Sequence, residues 1–158
     1  MFMDLQAVSN VVVTGFNAAT LALPNASFQV QVFTRNGSTL GGTSSTGPTS
    51  SSAGWTLHAT VAGTQGATGQ VSLPLVIPDL PINAGQTIGI GLVFVNIGQS
   101  YVGAGVSTPA TYTDSILRLT TGEVKAAPFT TSGAYFVSRE LLGNIFYRSD
   151  AVFRNGFE

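Results

Sequence analysis

The chain has no cysteine and a single histidine, His58, among its 158 residues. The first absence removes disulfides, thiolate nucleophiles and cysteine-ligated zinc. It does not exclude export, because a chain of this length buries roughly 70% of its unfolded surface without cross-links. Charge is nearly as scarce: Asp, Glu, Lys and Arg make up 8% of residues, with a formal net charge of −1, against about 25% charged residues in an average soluble domain. That leaves no basic footprint for nucleic acid and no polybasic patch for anionic lipid. Weak self-repulsion favours association. Long apolar runs are also missing. The longest, Ile88 to Ile97, is broken by glycines and has about half the length of a membrane helix, so no membrane insertion is expected. Met1 to Leu5 lacks the basic start, apolar core and small-residue site of a secretory leader. With a polar but uncharged composition, this predicts a mature secreted chain, extracellular or at the cell surface.

The few charges are uneven. Residues 1 to 113 carry only Asp4, Arg35 and Asp79, and the other ten lie from Asp114 onward. No linker separates the two parts, so one domain over residues 1–149 is expected, followed by a tail over 150–158.

Strand-type alternation dominates. Phe28, Val30, Val32 and Thr34 alternate with Gln29, Gln31 and Phe33; Trp55, Leu57, Ala59 and Val61 with Thr56, His58 and Thr60. Val71 to Ile77 and Ile88 to Phe94 alternate likewise, and Val11 to Phe16, Ile116 to Thr120, Ala134 to Ser138 and Leu141 to Tyr147 complete the set. Period two means a strand with one buried face. No window has helical periodicity with a cap, and 19 glycines and 7 prolines punctuate the runs. The pattern predicts an all-β, antiparallel, jelly-roll-like β-sandwich of about nine or ten strands. Pro74 marks an edge or bulged strand, a reversal is expected near Arg139 and Glu140, and Pro78 to Pro81 reads as a stiff connection. Asn36 to Gly54 reads as a long polar loop, mobile or functional.

The chemistry of catalysis is sparse. His58 has no Gly-x-Ser-x-Gly elbow to accompany it, and the seven acids form no recognisable pair or calcium loop. No enzyme, cofactor or metal is expected. Aromatic rings carry more weight, because a flat ring flanked by amides and hydroxyls suits a sugar face. Trp55, Tyr101, Tyr112 and Tyr135 are the candidate ligand-binding residues, with Tyr147 beside them. The competing reading of Trp55 is a core cap. Both ends are apolar: Phe2 and Leu5 at the start, Val152, Phe153 and Phe157 at the finish. Added to a neighbour's sheet edge, such ends would act as assembly residues by strand addition; folded on their own domain, they would complete its core.

The ordered segments Met3-Asp4-Leu5, Val13-Thr14-Gly15-Phe16, Val30 to Thr34, Gly54-Trp55-Thr56-Leu57, Ala84 to Thr87, Leu117 to Thr120 and Gly143 to Tyr147 resemble a β-sandwich domain recurring in secreted bacterial proteins, whose function is uncharacterised. The ending Val152-Phe153-Arg154-Asn155-Gly156-Phe157-Glu158 is similar to the Phe-x-x-Gly-Phe-Glu tails of exported gammaproteobacterial proteins. That likeness implies a sorting or assembly element near the true C-terminus. Together these readings predict a non-enzymatic structural or adhesion module that forms a homo-oligomer or filament. A carbohydrate-binding module, with polysaccharide or matrix as partner, is the alternative.

Overall fold

The computed structural model describes residues 1–103 and 108–150. The alternating runs become strands of two antiparallel sheets. In chain order these are β1 (Phe2–Ala7), β2 (Val11–Ala18), β3 (Ser27–Asn36), β4 (Thr56–Thr64), β5 (Leu75–Ile82), β6 (Thr87–Val95), β7 (Tyr101–Val102), β8 (Thr111–Thr113), β9 (Leu117–Lys125), β10 (Tyr135–Leu141) and β11 (Gly143–Ser149). The larger sheet has eight strands, in the order β4-β3-β6-β1-β9-β10-β7, with β8 also paired to β9. The smaller is β11-β2-β5. One turn of 3₁₀ helix, Pro48–Ser50, is the only helical element among the described residues.

The facing surfaces of the two sheets make the core. Met3, Leu5 and Ala7 of β1, Val30 and Val32 of β3, and Ile88, Ile90 and Leu92 of β6 meet Val11, Val13 and Phe16 of β2 and Leu75, Leu80 and Ile82 of β5. Alternation along each strand places these residues on one face, and burying each large aliphatic side chain contributes about 1.5–3 kcal/mol.

The outer face of the large sheet is covered too. Phe2, at the start of β1, turns away from the core and packs edge-on against Trp55 (ring centroids 5.4 Å) and Phe129 (5.6 Å). Phe33 joins Phe129 at 4.8 Å. β1 is therefore buried on both faces, with Phe2 and Leu5 0% and 1% exposed. Within the single chain, these two residues complete its own sheet.

Four local expectations also change. The strand expected over Val71 to Ile77 begins only at Leu75 and runs to Ile82. Pro74 stands outside it, while Pro78 and Pro81, read as a connection, lie within it. β5 pairs with β2 alone, so missing N–H groups are tolerated at that edge. The reversal expected near Arg139 falls at Leu142, between β10 and β11. The long polar segment is a folded cover: Thr39 and Thr49 are fully buried, and Trp55 Nε1 donates to the Pro48 carbonyl at 2.8 Å.

Candidate functional site

Three charged side chains hold that cover in place. Asp4 points outward from β1, is 8% exposed, and accepts from the Ser38 hydroxyl and, at 2.7 Å, from the Thr39 N–H. Glu123 of β9 accepts from the Gly41 N–H at 3.2 Å. Lys125 donates to the Ser44 carbonyl. Burial holds the Glu123 carboxyl above its usual range, against the opposing effect of its hydrogen-bond donors, and Asp4 nearby adds to the rise. Burial and the Glu123 carboxylate raise the Tyr135 phenol. Neither Glu123 Oε2 nor the Tyr135 hydroxyl makes a bond of full hydrogen-bond geometry. These charges serve the fold: they replace water for the backbone of a segment too polar to pack on its own.

The open side of the sandwich, where β8 and β9 face β11, carries a cleft of about 500 Å³. Leu117, Leu119, Leu141 and Ile145 form its apolar part, and Tyr112, Asp114, Asn144 and Tyr147 its polar part. The Tyr147 hydroxyl donates to Asp114 Oδ2, and the Ile116 and Leu117 N–H groups donate to Oδ1 at 2.7 and 2.8 Å. These bonds, the Tyr147 bond foremost, hold the Asp114 carboxyl below its usual range, and the same bond raises the Tyr147 phenol. Tyr112 donates to Glu140 Oε2 at 2.7 Å, which raises that phenol in turn. Asp114 is thus a fixed, ionised acceptor and is no proton donor at neutral pH. The cleft can present two ring edges, an amide and a carboxylate to a polar, partly apolar ligand.

The four rings chosen from sequence lie in different places. Tyr112, 53% exposed, lines the cleft. Trp55 is half-buried, with the Arg35 guanidinium 5.5 Å above its ring and Phe2 and Phe129 against it. Tyr135 is half-buried below Lys125. Tyr101 lies below Arg139 and near Phe136. Among the described residues these four rings form no shared platform, and Trp55 packs against Phe2 and Phe129. Asp114, Asn144 and the leucine floor escaped the sequence reading, because their only signal is a cross-sheet juxtaposition. His58, through Nε2, meets the Pro78 carbonyl at 2.9 Å and ties β4 to β5. Val152, Phe153 and Phe157 lie outside the described residues.

Among the described residues no three His, Asp or Glu side chains gather to hold a metal ion, and no helix is long and apolar enough to cross a membrane. Comparison with protein-family models, with curated proteins and with solved structures finds no match.

Proposed function

We propose that this chain is a non-enzymatic, extracellular structural or adhesion module that associates with copies of itself. The observation that carries this reading is β4. It closes one edge of the large sheet and pairs only with β3. Its nine residues, Thr56 to Thr64, contain no charged residue and no proline. Proteins guard exposed sheet edges with charge, proline, bulges or short strands. The single register shift of β4 lies near His58, between Ala59 and Leu57, and from Ala59 to Thr64 the pairing is regular. Burial of Asp4, Glu123 and Lys125 leaves the surface still poorer in charge than the composition suggests, so little electrostatic repulsion opposes contact between copies. Sedimentation velocity and negative-stain microscopy of the purified chain test this. Oligomers, rings or filaments growing with concentration are expected; a monodisperse monomer at 100 μM and above would overturn it.

The cleft favours a second reading, a carbohydrate-binding module in which Tyr112 and Tyr147 contact the sugar and Asp114 and Asn144 meet its hydroxyls. A glycan array with the intact chain, repeated with Tyr112→Ala and Tyr147→Ala, tests it. Binding lost in both variants supports this function, and an array with no binder sinks it.

A further inference from the structure

The backbone of an antiparallel strand faces its two neighbours in alternation. At the end of β4 the Thr64 carbonyl accepts from the Leu73 N–H at 2.9 Å, outside the ladder with β3, so Thr64 faces the open edge. Pairing with β3 is regular from Thr64 back to Ala59, and alternation then turns Ala62 and Thr60 to the same edge. The interior of the sheet agrees. Leu92 of β6 exchanges both backbone bonds with Met1, so Val93 faces β3. Gln31, opposite Val93, therefore faces β6. Val30 and Val32 are left to bond Val61 and Ala59 of β4. Among the described residues the N–H and C=O groups of Thr60 and Ala62 have no partner.

We propose that these groups bond the same groups of a second copy, in a closed dimer whose two-fold axis passes beside Val61. This rests on the reading that the chain self-associates through β4, and it names the register and the closure. With the two strands antiparallel, Thr60 lies opposite the partner's Ala62, and Ala62 opposite the partner's Thr60. Each of these pairs exchanges two N–H···O bonds, and Val61 meets the partner's Val61 between them at the closer, non-hydrogen-bonded spacing. Sliding the partner by two residues leaves fewer bonds. One direction sets Ala62 against the partner's His58, where β4 is out of register with β3. The other sets Thr60 against the partner's Thr64, whose carbonyl is already taken. Thr60 and Ala62 are exposed, and β4 brings no charge to the pair.

The same patch serves on both copies, so the contact is isologous and closes on itself. The remaining edges are built differently. β5 carries Pro78, Asp79 and Pro81, β11 carries Arg148, and β7 and β8 have only two and three residues. Proline, charge and shortness keep sheet edges from pairing. Pairing through β4 therefore stops at two copies.

A cysteine-free chain allows a direct test. In the full-length Val61→Cys variant the two thiols meet across the axis at a Cα spacing of about 4.5 Å, within disulfide range. Mild oxidation is expected to give a covalent dimer at least tenfold faster than in Val8→Cys, which is exposed between β1 and β2 and reports chance collision. Because the register sets Thr60 against Ala62, a mixture of Thr60→Cys and Ala62→Cys chains should link to each other at least tenfold faster than either links to itself. Sedimentation of the parent chain should show a monomer–dimer equilibrium. Thr60→Cys linking to itself as fast as to Ala62→Cys overturns the register, and open-ended growth of the parent chain overturns the closure. Links no faster than in Val8→Cys, from a parent chain that still associates, give this edge to another partner or to another segment of the second copy. That outcome overturns the β4 pair and leaves self-association standing. A parent chain that stays monomeric overturns both.

Discussion

At the scale of single residues, the buried ionisable groups set the response to pH. Met1 is 4% exposed, and burial lowers its amino group from 8.0 to about 5. Between those values the unfolded chain carries a proton that the folded chain has released, so stability rises with pH across this window. The full difference is about 4 kcal/mol at 1.36 kcal/mol per pH unit. Thermal melts of the chain with a free Met1 amino group are therefore expected to shift upward from pH 5 to pH 8. Glu123 acts in the opposite sense. Its carboxyl is raised by burial, so the folded state keeps a proton longer than the unfolded one, and stability falls as pH climbs through the raised value. Glu123→Gln removes that opposing effect while an amide oxygen can still accept from Gly41. It should change stability at pH 7 by no more than about 1 kcal/mol. Glu123→Ala strands the Gly41 N–H and should cost about 1–3 kcal/mol. Denaturant titrations of both variants at pH 5 and pH 8 separate these outcomes.

At the scale of elements, the close approach of β1 to β9 depends on Gly122. A Cβ there would stand 1.9 Å from the Phe2 carbonyl oxygen, where the register of the two strands shifts. No rotamer relieves a clash with backbone, so Gly122→Ala is expected to cost about 3 kcal/mol and to loosen the Phe2–Trp55–Phe129 cluster. Trp55 fluorescence during unfolding reads both effects. Much of this level was legible in the sequence: β-branched, alternating runs predicted β3, β4, β6, β9, β10 and β11, and the valine run Val11 to Val13 predicted β2, although β2 is buried on both faces. β1 was not, because Phe2-Met3-Asp4-Leu5 is buried on both sides and so shows no alternation. β5 was displaced because its prolines read as breakers, whereas an edge strand tolerates them. The cover over the outer face was illegible for a different reason. Its anchors, Asp4 and Glu123, are 119 residues apart in the chain, and a polar loop held down by buried carboxylates has the same composition as a free one. Likewise Tyr112 was chosen as a ring, but nothing local joins it to Tyr147 and Asn144 across the cleft.

At the scale of the whole molecule, few charges and an uncharged, proline-free sheet edge act together. Screening by salt changes association only where exposed charges oppose or drive it. Here the β4 rim is uncharged, so self-association should be nearly indifferent to ionic strength between 50 and 500 mM, while contact through Arg148 and Asp79, the one salt bridge among the described residues, would weaken. Thr60 and Ala62 are exposed on β4 and face away from the core that receives Ala59 and Val61. A lysine at each puts like charges directly opposite one another wherever two β4 edges pair, and like charges across a strand pair are destabilising. Thr60→Lys/Ala62→Lys should weaken an edge-to-edge contact about tenfold or more, with the melting temperature changed by only a few degrees. Sedimentation of this variant at low and high salt reads both effects. Loss of all oligomers would place the contact at the β4 edge. Unchanged oligomers would place it elsewhere.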